Sequence, residues 1–115
     1  MYTDPTVPFA DPYLLQIHYV RHGHEVGATS EADYERLADA FMSQGPHPDL
    51  YDGTCLVPRA DNGMCDRLRL DNATRWFGVA FGALTVRTLH MKSRFKINKH
   101  GGPRAFVDAK CLEVR

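Results

Sequence analysis

Three of the six histidines fall within seven residues, His18, His22 and His24 of the stretch His18-Tyr19-Val20-Arg21-His22-Gly23-His24-Glu25. Imidazole is the side chain whose ordinary pKa lets it take or give a proton near neutral pH, and it is also a common metal ligand. The cluster therefore points to proton transfer or to metal binding. A catalytic zinc site wants three protein ligands, which two histidines at i and i+4 and a third nearby could supply. The glutamate of the zinc-protease His-Glu-x-x-His motif is missing between His18 and His22, however, and Glu25 lies outside the pair. Proton transfer is accordingly favoured over metal. Taken singly, His18 also suits a packed helix position and His24 a solvated one.

The elements that must position these groups can be read from residue patterning. Residues 1–12 carry Pro5, Pro8 and Pro12 in a context with two Asp-Pro pairs, which predicts an irregular leader. From Pro12 the run to His22 is apolar on most faces, with the proline at its first turn and Gly23 as a stop. On such a helix His18 and His22, four residues apart, share one face. Ser30 as N-cap, acids at 31 and 33, and Tyr34, Leu37, Ala38 and Phe41 at helical spacing predict a second helix over 31–43. The segment 13–44 is therefore helical, and Pro46, Pro48 and Gly53 make 45–53 read as a linker.

After Gly53 the texture changes to period-two runs over 54–59, 65–70, 74–81 and 84–91, with turns at Asp61-Asn62-Gly63 and Asp71-Asn72 and a break at Gly82. Residues 95–98 suggest one more strand, 99–103 a loop, and 105–114 is open between strand and helix. The expected fold is α+β: one domain over 1–115, mainly β from 54 onward, with two N-terminal helices packed on one face of a C-terminal antiparallel meander of about four strands.

Alternation turns Arg67 and Arg69 to one face of the second strand. It places Thr88 and His90 on a face with Leu84 and Val86, and Arg87 on the other. A sheet face that gathers arginine and threonine beside a helix ending in histidine suits a phosphodiester: imidazole as base, guanidinium for the phosphorane charge, hydroxyl to position an oxygen. The same arginines also suit the solvated face of an ordinary sheet.

Fourteen basic and fourteen acidic residues cancel, but not evenly along the chain. Residues 1–53 hold nine acids against Arg21 and Arg36, a net of −7, and residues 54–115 hold twelve Lys and Arg against five acids, a net of +7. Such asymmetry is a hint of nucleic-acid contact on the basic side, or of attraction between the halves. No apolar run approaches the ~20 residues that span a bilayer, and the first residues lack the features of a signal peptide. Cys55, Cys65 and Cys111 have no C-x-x-C spacing and are odd in number. Cys55 and Cys65 lie on neighbouring strand candidates, but small buried side chains are the simpler expectation. No phosphate-binding glycine loop or Gly-x-Ser-x-Gly elbow is present.

The order of motifs resembles the toxin domains and phage relatives of the barnase, EndoU, colicin and RelE-like nuclease superfamily. The features that carry the likeness are His18-Tyr19-Val20-Arg21-His22-Gly23, the capped acidic helix from Glu31, Arg69-Leu70-Asp71 with Thr74 and Phe77-Gly78-Val79, and Val86-Arg87-Thr88. They run from about residue 16 to 92. The resemblance implies a metal-independent endoribonuclease, without cofactor, that cleaves cellular RNA, typically tRNA, by attack of the ribose 2′-hydroxyl on the adjacent phosphate. It implies His22 as principal general base or acid with His18 as partner, Arg69 on the phosphorane charge and Thr88 on a phosphate oxygen. Arg67, Arg87, His90 and Lys92 are the expected substrate-binding residues. It further implies the C-terminal part of a larger secreted or delivered toxin, acting in the target-cell cytoplasm and neutralised by an acidic cognate immunity protein. A non-catalytic module that binds nucleic acid or protein is the alternative. ADP-ribosyl transfer is a third, lowered by the lack of a Glu-x-Glu motif.

Overall fold

A computed structural model describes residues 12–55, 65–81 and 85–113. The expected leader over 1–11, the Asp61-Asn62-Gly63 turn, Gly82, Val114 and the side chain of Arg87 lie outside the described residues. The chain folds as α1 (Pro12–His22), a 3-10 turn (Gly23–Val26), α2 (Glu31–Ser43), β1 (Leu50–Thr54), β2 (Asp66–Asp71), β3 (Trp76–Phe81), β4 (Thr85–Met91), α3 (Arg94–Lys99) and α4 (Pro103–Leu112). The four strands form one antiparallel sheet in the order β1-β2-β3-β4. The fold is thus α+β with its first helices N-terminal to the meander, as the patterning predicts. No helix among the described residues is long and apolar enough to cross a membrane.

Local chemistry explains most of the boundaries. The Ser30 hydroxyl accepts the Asp33 N–H at 3.0 Å and so satisfies one free donor of α2, while the Asp33 carboxylate accepts the Thr29 N–H at 3.0 Å and fixes the chain just ahead of the cap. Helix α1 stops at His22, ahead of Gly23, as expected. The chain then tightens into the 3-10 turn, which ends at Gly27, whose φ of 74° is a left-handed conformation open to glycine.

Two expectations for the strands are corrected. β1 begins at Leu50, inside the segment that reads as a linker, and Gly53 is a strand residue paired with Leu68. A Cβ at Gly53 would stand 2.7 Å from Val107 of α4, so glycine there lets the helix lie directly on the strand. The tail is helical rather than extended. Ser93 caps α3 by accepting the Lys96 N–H at 3.2 Å, so 95–98 is helix and not a strand. Gly101 and Gly102, with φ of 101° and 110°, then turn the chain into α4, which carries Pro103 in its first turn.

Successive residues of β3 feed opposite faces, and each face has its own core. On one, Tyr34, Ala38, Phe41 and Met42 of α2 pack with Ala80, Val86 and Leu89. On the other, Ile97 of α3 and Phe106 and Val107 of α4 pack with Leu68, Leu70, Phe77 and Val79. Burying side chains of this size stabilises by about 1.5–3 kcal/mol each, before the entropy of ordering them. The sheet is therefore covered on both faces, where helices on a single face were expected. A disulfide between Cys55, just past β1, and Cys111 of α4 ties the second layer down, which corrects the expectation of merely small buried side chains for these two, and Cys65 is a free thiol.

The outer edge of β4 is closed by side chains. The Tyr34 hydroxyl donates to the Leu89 carbonyl and accepts the Leu89 N–H at 2.9 Å, and Glu25 Oε1 accepts the Met91 N–H at 2.9 Å. These bonds satisfy backbone groups that an edge strand would otherwise present unpaired.

Candidate active site

β4 carries the feature that sorts its side chains. Thr88 pairs with Val79 but Val86 pairs with Ala80, so Arg87 is an extra residue and the alternation breaks there. Val86 consequently joins Leu89 in the core under α2, whereas Thr88 and His90, opposite Val79 and Phe77, face the other way. Plain alternation, which puts Thr88, His90 and Val86 on one face, is correct for the first two and wrong for Val86.

α1 runs beside β4 and brings its histidines to the Thr88 and His90 face. Thr88 Oγ1 lies 3.2 Å from His18 Nδ1 and 3.4 Å from His90 Nδ1. The hydroxyl has a single proton, so at least one of these two ring nitrogens must carry an N–H toward it. The His18 and His22 rings stack with centroids 5.9 Å apart, and His22 and His90 are closer, at 4.8 Å. Four of the expected site residues, His18, His22, Thr88 and His90, thus meet in one place although seventy residues of chain separate His18 from Thr88.

Glu25 completes the group, and it was not among the expected site residues. Its Oε2 sits 2.8 Å from His22 Nδ1 while its Oε1 is held by the Met91 N–H. Partial burial works to raise the Glu25 pKa, but the Met91 N–H, the His22 hydrogen bond and the positive charge of His22 and His24 outweigh it and hold the carboxyl below its ordinary range. An ionised carboxylate only accepts, so Nδ1 of His22 carries the proton and Nε2 is left with a lone pair when the ring is neutral. The 3-10 turn produces this pairing by placing Glu25 three residues after His22. That spacing was visible in the sequence, but the turn's geometry was not. His24, between them, is exposed.

His90 is tuned differently. Burial first, then the charges of Lys92, His22, His18 and Lys96, push its pKa down to about 3, so it is neutral throughout the physiological range. Lys92 holds its ammonium 5.3 Å from the centre of the Phe77 ring, and that ring lies 5.5 Å from His90. Lys92 therefore borders the site.

The two arginines of β2 are elsewhere. Arg69 is 7% exposed and turned to the α2 face. Its Nη1 donates to the carbonyls of Phe41, Met42 and Gln44 at 3.2, 3.2 and 2.8 Å, closing the C-terminal end of α2. Nε and Nη2 bond both oxygens of Asp52 at 2.7 and 3.2 Å. A guanidinium spent on helix-end carbonyls and a carboxylate is a structural cap, which corrects the expected role of Arg69 on a reacting phosphate. Arg67 shares that face two residues away, opposite Ala80, and is likewise not brought to the histidines.

Protein-family models, curated proteins and solved structures contain no match to this chain. Among the described residues no group of three His, Cys, Asp or Glu side chains converges as a metal site. An oriented imidazole with a free nitrogen, a second imidazole on the same helix face, a hydroxyl and a nearby ammonium make a set suited to moving protons at an anionic centre.

Proposed function

We propose that this chain is a metal-independent endoribonuclease that cleaves cellular RNA, with tRNA as the expected class, by transesterification at the ribose 2′-hydroxyl. The observation that carries the proposal is the His22–Glu25 pair, at 2.8 Å, set beside His18, Thr88 and His90. His22 Nε2 takes the proton of the 2′-hydroxyl as that oxygen attacks phosphorus, and Glu25 fixes the ring's tautomer and stabilises the imidazolium that forms. The P–O5′ bond breaks, and His18 supplies the proton to the departing 5′-oxygen. No water is consumed, and the products are a 2′,3′-cyclic phosphate and a 5′-hydroxyl.

Two imidazoles with ring centres 5.9 Å apart can reach the attacking and leaving oxygens of one phosphorane. In this reading Thr88 and neutral His90 hydrogen-bond its equatorial oxygens, and Lys92, rather than Arg69, supplies the positive charge. The requirement for a 2′-hydroxyl leaves DNA uncut. A toxin of this kind would be held by an acidic inhibitor covering the basic face.

The test is digestion of total RNA by the purified protein with and without EDTA, alongside His22→Ala. Cleavage indifferent to EDTA and lost in a folded His22→Ala protein supports the proposal. Cleavage abolished by EDTA points to metal chemistry, and no cleavage of any RNA favours a non-catalytic binding module.

A further inference from the structure

We propose that the cavity between the end of β4, α3 and α4 is a phosphate subsite for the RNA strand beyond the scissile bond, with Phe95 as the stacking surface for a neighbouring base. This subsite rests on the ribonuclease proposal for the identity of its ligand, and it lies almost wholly in the part of the chain outside the family likeness.

The cavity measures about 200 Å³ and is lined by Lys92, Lys96, Lys99, His100, Phe106 and Lys110. Four ammonium groups, from the residue just past β4, from α3 and from α4, surround one space. All four belong to the half of the chain with a net charge of +7, and the fold gathers them around a single cavity. Like charges gathered this way repel one another, and an anion seated among them removes the repulsion. Glu113 meets Lys110 at 3.0 Å at the rim of the cavity.

The floor is aromatic and fixed. Phe106 is fully buried, packs edge-on against Phe77 at 5.5 Å and against His100 at 5.3 Å, and has the Lys110 ammonium 5.6 Å from its ring centre. Phe77 is shared with the histidine site, where it touches His90, and Lys92 lies over it. The cavity and the proposed catalytic group are therefore neighbours across one ring, placed to take consecutive parts of a single strand.

Phe95 decides between a nucleic-acid strand and an acidic protein. It stands next to Lys96 on α3 and is 75% exposed. An exposed aromatic beside a lysine-lined groove is the pairing by which single strands are held, the bases on the ring and the phosphates on the cations. A carboxylate-bearing partner would use the lysines and gain little from the ring.

The experiment is salt-dependent binding of an uncleavable 2′-deoxy decamer, followed by fluorescence anisotropy. The proteins are the wild type, the double variant Lys96→Ala/Lys99→Ala, Phe95→Ala, and Arg36→Ala as a control for net charge on α2. Losing two phosphate contacts should reduce the slope of log K against log salt by about 1.4, roughly 0.7 per lysine. Phe95→Ala should weaken binding roughly tenfold with the slope retained. A slope in the double variant no different from that of Arg36→Ala overturns the subsite.

Cleavage kinetics separate this inference from the ribonuclease proposal. The ratio of kcat/KM for an RNA decamer over a dinucleotide should exceed one and fall in the double variant. Active enzyme with no such length dependence overturns the subsite alone. A protein that binds the decamer through these lysines but cleaves no RNA overturns the ribonuclease and keeps the strand site. Polyglutamate bound as tightly as the decamer, indifferent to Phe95→Ala, overturns the choice of RNA as ligand.

Discussion

Replacing Arg69 by methionine should unfold the domain's second helix from its sheet before it affects chemistry. The side chain makes five hydrogen bonds, three to the carbonyls of Phe41, Met42 and Gln44 and two to Asp52. Methionine retains most of the stem's packing but none of the donors. Asp52 is 47% exposed on its side chain, so water can replace what it loses, and its share of the cost is small. The Phe41 and Met42 carbonyls belong to buried residues, and stripping the charged donor from them costs about 1.5–3 kcal/mol. With the lost interaction at the end of α2 added, the total is about 3 kcal/mol. For a domain of this size that corresponds to roughly 12 °C in Tm. Equilibrium urea unfolding and a thermal melt measure it, and RNA cleavage normalised to the folded fraction should be retained. A melt within a few degrees of wild type together with lost cleavage would refute the structural role and return Arg69 to the reaction.

Three other outcomes follow from the same geometry. Glu25→Gln keeps the shape but removes the carboxylate that orients His22, and single-turnover RNA cleavage should fall on the order of 10²-fold or more with the far-ultraviolet spectrum unchanged; a loss under threefold would show that His22 does not depend on it. His90, with its pKa lowered to about 3 in the fold against 6.5 unfolded, stays neutral while the unfolded chain takes a proton, so its stabilisation is complete above pH 6.5 and is lost progressively as pH falls toward 3. Urea titrations should show stability dropping by up to about 1.4 kcal/mol per pH unit in that window, a slope that His90→Gln flattens. Reducing the Cys55–Cys111 bond, which closes a loop of 56 residues, should cost about 4 kcal/mol on the chain-entropy account, read as a lower urea midpoint in dithiothreitol; an unchanged midpoint would contradict the cross-link.

Much of the scaffold was legible because its signals are local. The Ser30 cap and the periodic Tyr34, Ala38 and Phe41 mark α2 at its observed bounds, and β-alternation with the Asp71-Asn72 turn marks β2 to β4. What escaped depends on tertiary contact. Gly53 looks like punctuation until α4 is seen lying on it, and 95–98 alternates like a strand although Ser93 starts a helix there. The bulge at Arg87 leaves no mark in composition, yet it decides which β4 side chains share a face.

The site divides the same way. The helix-face rule joins His18 to His22, and strand alternation joins Thr88 to His90, but only the packing of α1 against β4 brings the pairs together. Arg69 has the right chemistry for a phosphate and the wrong face of the sheet. Glu25 stands beside the histidines in the sequence, but only the 3-10 turn swings its carboxylate back onto His22.

The most direct test of the account is the chemistry of the cut ends. A defined RNA incubated with the protein in EDTA should yield fragments ending in 2′,3′-cyclic phosphate and beginning with 5′-hydroxyl, and His22→Ala should yield none while remaining folded. Fragments beginning with 5′-phosphate, or full cleavage by His22→Ala, would contradict it.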